Sequence, residues 1–472
     1  MKSFVFMLLS AAFCGTLAAS LAADEMAWQA AAEDPAAAKL ARPSAVQYRW
    51  QEQERGMFIQ LDPATLQGRE YDDGTTPLKD ICFEKLDTDE WVRAAKAWGA
   101  GEIIFMLAHS GGFCMWPSKT TEYHIGNTAY KGGQGDVVKE FAASCRKAGL
   151  NMGFFCWSQH PMAEAADAHT VAYTKLFQPK TRAESNAVLA TRIREISERL
   201  GADRITEVWV DQPIKADFEQ VAKECLPNAV LFAVGCRHPL PTIRWVGNEQ
   251  GKVADPCWSV TSRARLETPA ASQFDADERQ KQSAADNPDG DYWAPLEADV
   301  PLHNHYWHMR PGALEHRRSV AELMACYIQS CGRNSFLLLN CAPQADGSIH
   351  PDDMKRYEEF GAAIDKTFGH PAAVLERKTG LDATLSLPKP TRVAYTDLWE
   401  DYRYGHRIRS YRIEGLEADS GRWIPMASGT AVGRRKIDPV QGNPEVTAVR
   451  LIVDGNVGTP MIRRLAIHPV AD

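Results

Sequence analysis

The stretch Val208-Trp209-Val210-Asp211-Gln212-Pro213 joins a short apolar run to a carboxylate and a proline. Three apolar residues, two of them β-branched, predict the end of a buried strand, and the proline then stops that strand. In a parallel α/β barrel, the carboxyl ends of the strands and the loops after them line the active site. A carboxylate at Asp211 would either attack or stabilise a cationic carbon or, as this stretch alone favours, cap the following helix or end the strand in a turn.

Strand-like and helix-like patterns alternate on both sides of this stretch. Apolar runs of strand length occur at residues 57–61, 102–107, 151–157, 206–210, 229–234, 243–246 and 336–339. Helical spacing of apolar residues occurs at residues 89–98, 136–147, 187–200, 216–225, 320–330 and 351–368. The alternation predicts an α/β fold with a (β/α)8-type, TIM-like barrel, although not every one of the eight units is visible.

The pattern of the chain changes after residue 370. Short alternating runs at residues 391–395, 408–413 and 446–453 are separated by Gly and Asp turns, which predicts an all-β sandwich. The charged, Asp- and Gln-rich residues 262–295 predict a long loop on the face of the barrel. We therefore predict a signal peptide at 1–23, an N-terminal arm at 24–55, a catalytic barrel at 56–370 and a C-terminal β-sandwich at 371–472.

The first 23 residues have the pattern of a secretory signal peptide. Lys2 precedes an apolar stretch from Phe4 to Ala23 that ends in small residues suited to cleavage. No later stretch of the sequence is apolar over the length that a membrane span needs. We expect the mature protein to be exported, to the periplasm or the outside of the cell, without a membrane span.

Composition and motifs argue against several classes of partner and cofactor. A net charge of -8 at pH 7 disfavours nucleic acid or an anionic membrane as the main partner. The eleven cysteines include no Cys-x-x-Cys pair and no zinc-site spacing with histidine, so we expect mostly buried free thiols. The sequence has no His-Glu-x-x-His motif, no phosphate-binding Gly-Lys-Ser/Thr loop and no dinucleotide fingerprint. We therefore expect no metal and no nucleotide cofactor.

Three runs near the predicted upper rim of the barrel are each unusual. They are residues 112–118 (Gly-Phe-Cys-Met-Trp-Pro-Ser), 131–136 (Lys-Gly-Gly-Gln-Gly-Asp) and 332–340 (Gly-Arg-Asn-Ser-Phe-Leu-Leu-Leu-Asn). Together and in this order they resemble glycoside hydrolase family 29, the α-L-fucosidases, over residues 45–370. Residues 244–249 (Arg-Trp-Val-Gly-Asn-Glu) resemble the branch that prefers α-1,3/1,4-linked fucose. The tail around residues 404–408 (Tyr-Gly-His-Arg-Ile) is similar to the C-terminal sandwich of that branch.

The resemblance implies a retaining hydrolysis that uses two carboxyl groups. Asp211 aligns with the family's nucleophile, which forms a covalent glycosyl-enzyme intermediate. Glu249 lies at the position of the general acid/base, which must be protonated to release the leaving oxygen. Because Glu267 and Glu297 also lie on predicted rim loops, the acid/base assignment stays open, with Glu297 as the first alternative.

The resemblance also implies side chains that bind the sugar. His109 aligns with a family histidine that hydrogen-bonds sugar hydroxyls, although such a residue could also pin its own loop. Trp116 either contacts the sugar through its ring face or packs in the interior. Arg244 and Asn248 either bind substrate or orient Glu249.

The chain departs from the family pattern at several positions. Gln60 stands where the family has a histidine, and Ser110 and Gly111 stand where it has a second histidine and an aspartate. The family's Glu-Trp pair is matched at best by Glu70-Tyr71, and Gln212 replaces the glycine after the nucleophile. We keep Gln60 and Glu70 as candidate substrate-binding residues. Because several of the departures concern residues that hold the sugar, while the two proposed carboxyl groups are retained, they indicate altered sugar specificity more than loss of catalysis.

These patterns predict an exported retaining exo-glycosidase, an α-L-fucosidase that hydrolyses terminal α-L-fucosyl linkages of oligosaccharides or glycoconjugates. The expected partner is therefore a fucosylated glycan. One alternative on the same scaffold is a carbohydrate-binding protein with little or no turnover. Another is a glycosidase for a related sugar, such as an α-galactoside. The release of free sugar, and the identity of that sugar, separate the three hypotheses.

Overall fold

The computed structural model describes residues 24–157, 182–210, 218–233, 241–263 and 287–471. The described chain divides into two compact units, one of residues 43–331 and 335–366 and the other of residues 24–42, 332–334 and 367–471. Residues 24–42 thus group with the C-terminal unit, whereas residues 43–55 group with the barrel. The predicted signal peptide lies outside the described residues, as do residues 264–286 of the predicted long loop.

The larger unit contains a parallel barrel, which confirms the predicted fold. Its strands are β1 (Arg55–Ile59), β2 (Glu102–Ala108), β3 (Asn151–Cys156), β4 (Ile205–Val210), β5 (Val230–Ala233), β6 (Arg244–Trp245), β7 (Val260–Thr261), β8 (Tyr292–Trp293), β9 (Leu296–Val300) and β10 (Phe336–Cys341). Eight of them pair in the order β5-β4-β3-β2-β1-β10-β9-β6, and β7 and β8 form a separate antiparallel pair. The ring approaches closure where Leu231 of β5 donates its N–H to Pro241 O (2.9 Å) and accepts from Ile243 N (3.2 Å).

Helices precede, connect and follow the strands of this unit. They are α1 (Ala45–Glu52), α2 (Pro63–Gln67), α3 (Thr88–Ala97), α4 (Val137–Ala148), α5 (Arg182–Leu200), α6 (Phe218–Cys225), α7 (Val320–Gln329) and α8 (Pro351–Ile364). Their ends follow ordinary capping chemistry: the Asp136 side chain accepts from Lys139 N at 3.1 Å, and Gly149 ends α4 with a φ of 71°.

The side chains packed in the barrel interior are mainly apolar. All seven residues of β2 and all six of β10 are buried, as expected of parallel strands covered on both faces. Phe58, Phe155 and Trp209 belong to the central cluster. Trp50 of α1 joins them by stacking on Phe336, with 4.5 Å between ring centroids. With the interior filled, the barrel can present polar groups at the strand ends and in the loops after them.

The smaller unit contains an antiparallel β-sandwich, as predicted. Its strands are β11 (Ala373–Thr379), β12 (Asp382–Glu400), β13 (Ile408–Glu417), β14 (Trp423–Gly429), β15 (Lys436–Pro439), β16 (Glu445–Asn456) and β17 (Met461–Pro469). They pair in the order β11-β17-β12-β16-β13-β14, with β15 on β12. The long strand β12 pairs with β16 along its first half and with β17 along its second half, so it joins the two layers.

The N-terminal residues of this unit pack against its strands. Trp28, Ala31 and Ala32 form a buried cluster with Met461 of β17. The buried Arg407 donates to the carbonyl oxygens of Ala31 and Ala32. These backbone bonds satisfy a guanidinium group that would otherwise be costly to bury.

The cysteines within the described part of the chain are free thiols. Nine are described, and all except the half-buried Cys82 are buried. For these nine positions the expectation of mostly buried free thiols is confirmed.

Candidate active site

Polar side chains collect where the barrel strands end at their carboxyl edge. Asp62 follows β1, His109 follows β2 and Asn340 lies near the end of β10. The loop after β9 brings Trp307 and His308 to the same edge, because Asn340 Nδ2 donates to Trp307 O at 2.9 Å. Side chains that are far apart in sequence therefore meet at the edge where a parallel barrel carries its active site.

His308 lies between two carboxylates and has only 1% of its surface exposed. Its Nε2 is 3.3 Å from Asp62 Oδ1, and its Nδ1 is 3.6 Å from Glu70 Oε1. Burial alone would lower the pKa of His308, but the charges of Asp62 and Glu70 raise it to about 9. Burial likewise opposes the ionisation of Asp62, yet the charge of His308 lowers the pKa of that carboxyl below its ordinary value. At neutral pH this is a buried ion pair.

His109 lies beside this ion pair and is uncharged. Its half-buried ring is 6.2 Å from the His308 ring, stacks on Tyr71 at 5.8 Å and contacts Phe155 edge-on at 5.3 Å, all between centroids. Burial lowers the pKa of His109 to about 4. Because a neutral imidazole can both donate and accept a hydrogen bond, His109 is suited to a sugar hydroxyl.

Glu249 lies on the loop after β6 in a left-handed backbone conformation, with a φ of 54°. Asn248 shapes this loop, because its Oδ1 accepts from Gln250 N at 3.0 Å and its Nδ2 donates to Lys252 O at 2.9 Å. The half-buried Glu249 accepts a hydrogen bond at Oε2 from Trp307 Nε1 at 3.2 Å. Of the two roles predicted for Asn248, these contacts support orienting Glu249.

Aromatic rings line the barrel interior beneath these polar groups. Phe58 lies 6.3 Å from Phe155, 6.2 Å from Trp209 and 6.2 Å from Trp307, between ring centroids. Trp209 in turn meets the half-buried Trp245 edge-on at 5.9 Å. An apolar surface of this kind suits the C–H face of a sugar, while the polar groups above it suit the hydroxyls.

Asp72 fills the space beside Gly111, one of the departures from the family pattern. A Cβ at Gly111 would lie 1.7 Å from Asp72 Oδ2, so a side chain at that position would displace the carboxyl group. Gln67 Nε2 donates to Asp72 at 2.7 Å. Burial, with the nearby charge of Asp62, raises the pKa of Asp72 to about 7. A carboxyl group from the β1 loop thus lies against the loop of His109.

Trp116 and Arg244 both donate hydrogen bonds to other groups of the protein. Trp116 is 0% exposed and donates through Nε1 to Glu195 at 2.8 Å. Its ring has no free face for a sugar, so the position fits a residue that packs in the interior. Arg244 donates to the carbonyl oxygens of Ala294 and Trp258, both at 2.7 Å. Its guanidinium therefore ties neighbouring backbone segments together.

Glu297, the alternative acid/base, lies inside the barrel wall and not on a rim loop. It is the second residue of β9, is 0% exposed, and its carboxyl group neighbours those of Glu102 and Glu207. Burial, followed by the charge of Glu207, raises the pKa values of Glu102 and Glu297 well above the ordinary range. Trp50 and Trp209 donate to Glu207. A carboxyl group enclosed in this way has no access to a leaving group, which favours Glu249.

The variant Glu297→Gln is expected to turn over substrate like the wild type and to change only the pH dependence of stability. A carboxyl group with a raised pKa in the folded state adds stability below its ordinary pKa of 4.5 and loses it as the pH rises through the folded value. Each unit of raised pKa corresponds to about 1.4 kcal/mol. Thermal unfolding from pH 5 to pH 8 should therefore lower the Tm of the wild type more than that of Glu297→Gln.

The exposed Glu315 offers the matched control, Glu315→Gln, which removes one carboxyl group at the surface. Its Tm should follow the wild-type curve with pH. If Glu297→Gln instead abolishes turnover of substrates with poor leaving groups, Glu297 is the acid and the assignment to Glu249 is wrong.

The remaining predicted residues are Gln60, Asp211 and Glu267. Gln60 is buried directly after β1, where its N–H donates to Cys341 O at 3.0 Å. Asp211 directly follows the last residue of β4, but Asp211 and Glu267 lie outside the described residues, so their roles stay predictions. Across the described ranges, no three His, Cys, Asp or Glu side chains form a group that could hold a metal ion. No helix in those ranges is long and apolar enough to cross a membrane.

The residues that sequence reasoning missed are Asp62, Asp72, Trp307 and His308. Asp62 had a local signal, because it precedes Pro63 and caps α2 by accepting from Ala64 N at 2.8 Å. The signal for Trp307 and His308 was the composition of their loop, since residues 303–308 read His-Asn-His-Tyr-Trp-His shortly after β9. No spacing rule, however, indicates which of those side chains points into the site.

Comparison with known proteins identifies the family of the chain. The chain matches the sequence profile of the α-L-fucosidase family over residues 46–367. Alpha-L-fucosidase 1 of Arabidopsis thaliana is 27% identical over 475 aligned residues, covering 90% of this chain and 87% of that protein.

Solved structures give the same result for the fold. A glycoside hydrolase 29 family member from an unknown rumen bacterium is 27% identical, with a TM-score of 0.76 over 92% of this chain and 78% of that chain. The GH29 fucosidase of Ruminococcus gnavus, solved in complex with fucose, is 22% identical and has a TM-score of 0.75 over 91% of this chain and 95% of its own. The matched residues 46–367 lie mostly in the larger unit, and the chain belongs to the α-L-fucosidase family of glycoside hydrolases.

Proposed function

We propose that this glycoside hydrolase is an exported exo-enzyme that releases terminal α-L-fucosyl residues with retention of configuration. The observation that carries the proposal is the half-buried Glu249 carboxyl group, held by the Trp307 indole at 3.2 Å. The backbone N–H of Trp307 also donates to Glu70 at 3.0 Å, and this bond connects Glu249 to the polar cluster around His308. A carboxyl group fixed beside groups that bind hydroxyls is suited to protonate a glycosidic oxygen.

In the proposed first step, the Asp211 carboxylate attacks the anomeric carbon and forms an ester with it. Glu249 gives its proton to the glycosidic oxygen, so the bond between that oxygen and the anomeric carbon breaks and the aglycone leaves as an alcohol. In the second step, the ionised Glu249 takes a proton from water. The water oxygen attacks the same carbon and the ester bond to Asp211 breaks. Two inversions at one carbon give net retention.

Binding of the sugar is assigned to the groups around His109. The neutral His109 ring can donate to one hydroxyl or accept from it, and the Glu70 carboxylate accepts from hydroxyl donors. The half-buried Trp245 ring, packed against the central aromatic cluster, offers an apolar surface, which suits the methyl group and the C–H face of fucose. Polar groups for the hydroxyls and an apolar surface for the methyl group together fit a neutral deoxy sugar.

The linkage preference and the export are proposed from the sequence. The run at residues 244–249 is similar to the branch that prefers α-1,3/1,4-linked fucose, and residues 1–23 have the pattern of a signal peptide. Expression of the full chain, followed by N-terminal sequencing of the protein outside the cytoplasm, tests the export. A chain that stays in the cytoplasm with Met1 intact would contradict it.

Release of free sugar from a defined panel tests the proposed activity. The panel contains α-1,2-, α-1,3- and α-1,4-linked fucosyl oligosaccharides, an aryl α-fucoside and an aryl α-galactoside. We expect fucose from the α-1,3 and α-1,4 linkages and from the aryl fucoside. Galactose as the main product would indicate a different glycone. Binding of fucosylated glycans without release of any sugar would contradict the proposed activity.

A further inference from the structure

Trp307 and His308 form a dipeptide whose backbone and side chains are held from several directions. The N–H of Trp307 donates to Glu70 Oε1 at 3.0 Å, and its carbonyl oxygen accepts from Asn340 Nδ2 at 2.9 Å. The imidazole of His308 contacts Asp62 at 3.3 Å and Glu70 at 3.6 Å. Glu70 therefore touches both residues of the dipeptide through the same oxygen, so a shift of His308 also shifts the backbone of Trp307.

The side chain of Trp307 transmits this constraint to the site. Its ring lies edge-on to Phe58, with 6.2 Å between centroids, and its Nε1 donates to Glu249 at 3.2 Å. The loop of Glu249 is fixed separately by the turn at Asn248. The carboxyl group of Glu249 is thus positioned from two sides, by its own loop and by the indole.

We propose that His308 is a positioning residue that acts on Glu249 through Trp307. Its buried ion pair fixes the backbone of Trp307, and the indole N–H then keeps the carboxyl group of Glu249 in the orientation that proton transfer needs. The inference rests on the proposed function, because the orientation of Glu249 matters only if Glu249 transfers the proton. His308 itself is almost fully buried and need not touch the substrate.

The charges around His308 explain why a neutral side chain cannot replace it. Asp62 and Glu70 face it directly, Arg310 lies 3.3 Å from the far oxygen of Glu70, and the neutral His109 ring is 6.2 Å away. Removing the imidazolium leaves the buried Asp62 carboxylate and the half-buried Glu70 carboxylate, with Arg310 beside the far oxygen of Glu70. Such carboxylates move toward water or repel each other. Either movement displaces Glu70, which accepts the hydrogen bond from the backbone N–H of Trp307.

The test uses the dependence of kcat/KM on the leaving group, measured with aryl α-L-fucosides that carry good and poor leaving groups. Help from a general acid matters most for poor leaving groups, so misplacing Glu249 slows those substrates selectively. Trp307→Phe keeps the ring and removes the N–H, and we expect it to lower the poor-to-good rate ratio about tenfold. We expect His308→Gln to lower the same ratio about five- to tenfold.

The double variant His308→Gln/Trp307→Phe shows whether the effect passes through the indole. If it does, the double variant lowers the ratio no further than Trp307→Phe alone, because the contact to Glu249 is already absent. Additive losses would contradict the inference. His305→Gln, an exposed histidine on the same loop, is the matched control and should leave the ratio unchanged.

A merely structural role for His308 predicts a different result. Loss of folded enzyme slows good and poor leaving groups alike, so an unchanged ratio in His308→Gln would overturn the inference. If that variant does not fold, Asp62→Asn weakens the same ion pair while keeping an oxygen for Ala64 N. The ratio of kcat/KM for poor and good leaving groups is then measured with Asp62→Asn, and an unchanged ratio overturns the inference. Glu249→Ala separates this inference from the proposed function. A ratio that stays at the wild-type value in Glu249→Ala removes Glu249 from the mechanism, whatever His308→Gln does.

Discussion

Asp211→Asn is expected to lower kcat for an aryl α-L-fucoside by about four orders of magnitude or more, as removal of a covalent nucleophile does in other hydrolases. The amide has nearly the same size and shape as the carboxylate, but it cannot form the ester with the anomeric carbon. Asp211 follows the buried end of β4, so the substitution should leave the barrel core intact. Steady-state kinetics and a thermal unfolding curve on the same preparation measure both expectations.

The control for this prediction is Asp203→Asn, which removes an exposed aspartate just before the amino end of the same strand and should keep full activity. A second variant, Asp211→Gly, gives a positive readout. Azide that enters the space of the lost side chain should attack the anomeric carbon directly and give the fucosyl azide of inverted configuration. Substantial turnover by Asp211→Asn without any additive would exclude Asp211 as the nucleophile.

Glu249→Ala is the second variant with a large expected effect. Loss of the general acid should lower kcat/KM for a poor leaving group by about 10²- to 10⁴-fold, which is the usual contribution of a positioned acid. A dinitrophenyl fucoside needs little protonation, so its first step should be nearly unaffected. Its second step should be slow, because no base activates water. A burst of aryl alcohol followed by slow steady-state release is the expected time course.

Azide distinguishes this role from a loss of folding. As an anion that needs no general base, it should attack the fucosyl-enzyme of Glu249→Ala, restore part of kcat and give the fucosyl azide of retained configuration. The opposite configurations expected from Asp211→Gly and Glu249→Ala assign the two carboxyl groups independently. If the rescue with retention occurs in a Glu297 variant and not in Glu249→Ala, the acid/base assignment is wrong.

The barrel could be predicted from the sequence because its strands are apolar runs of the right length. The predicted run at 102–107 corresponds to β2, Glu102–Ala108, and the run at 206–210 corresponds to β4, Ile205–Val210. The strand β9 could not be recognised, because Leu296–Val300 contains two acidic residues that interrupt the apolar pattern. All five of its residues are nevertheless buried, since Glu297 faces other carboxyl groups inside the barrel. The same two acids made a buried strand resemble a rim loop.

The site could be predicted only where a motif marked it. His109 aligns with a family histidine and Glu249 lies in a run that resembles the family, and the structure places both at the edge where Trp307 and His308 lie. Trp116 lies in an equally distinctive run, yet it is packed in the interior, because a motif does not say which face a ring presents. His308 had no motif. Its role depends on partners about 240 residues earlier in the chain, which come close to it only when the barrel folds.

Trapping the covalent fucosyl-enzyme intermediate tests the proposed double displacement through Asp211. A 2-deoxy-2-fluoro-fucosyl fluoride has a good leaving group, and its fluorine slows both steps, so the fucosyl-enzyme should accumulate on incubation with the wild-type protein. Proteolysis and tandem mass spectrometry then locate the added sugar. We predict one modified peptide with the ester on Asp211, formed also by Glu249→Ala and absent from Asp211→Asn. A sugar attached to any other residue, or active enzyme that hydrolyses fucosides with inversion and carries no label, would contradict the account.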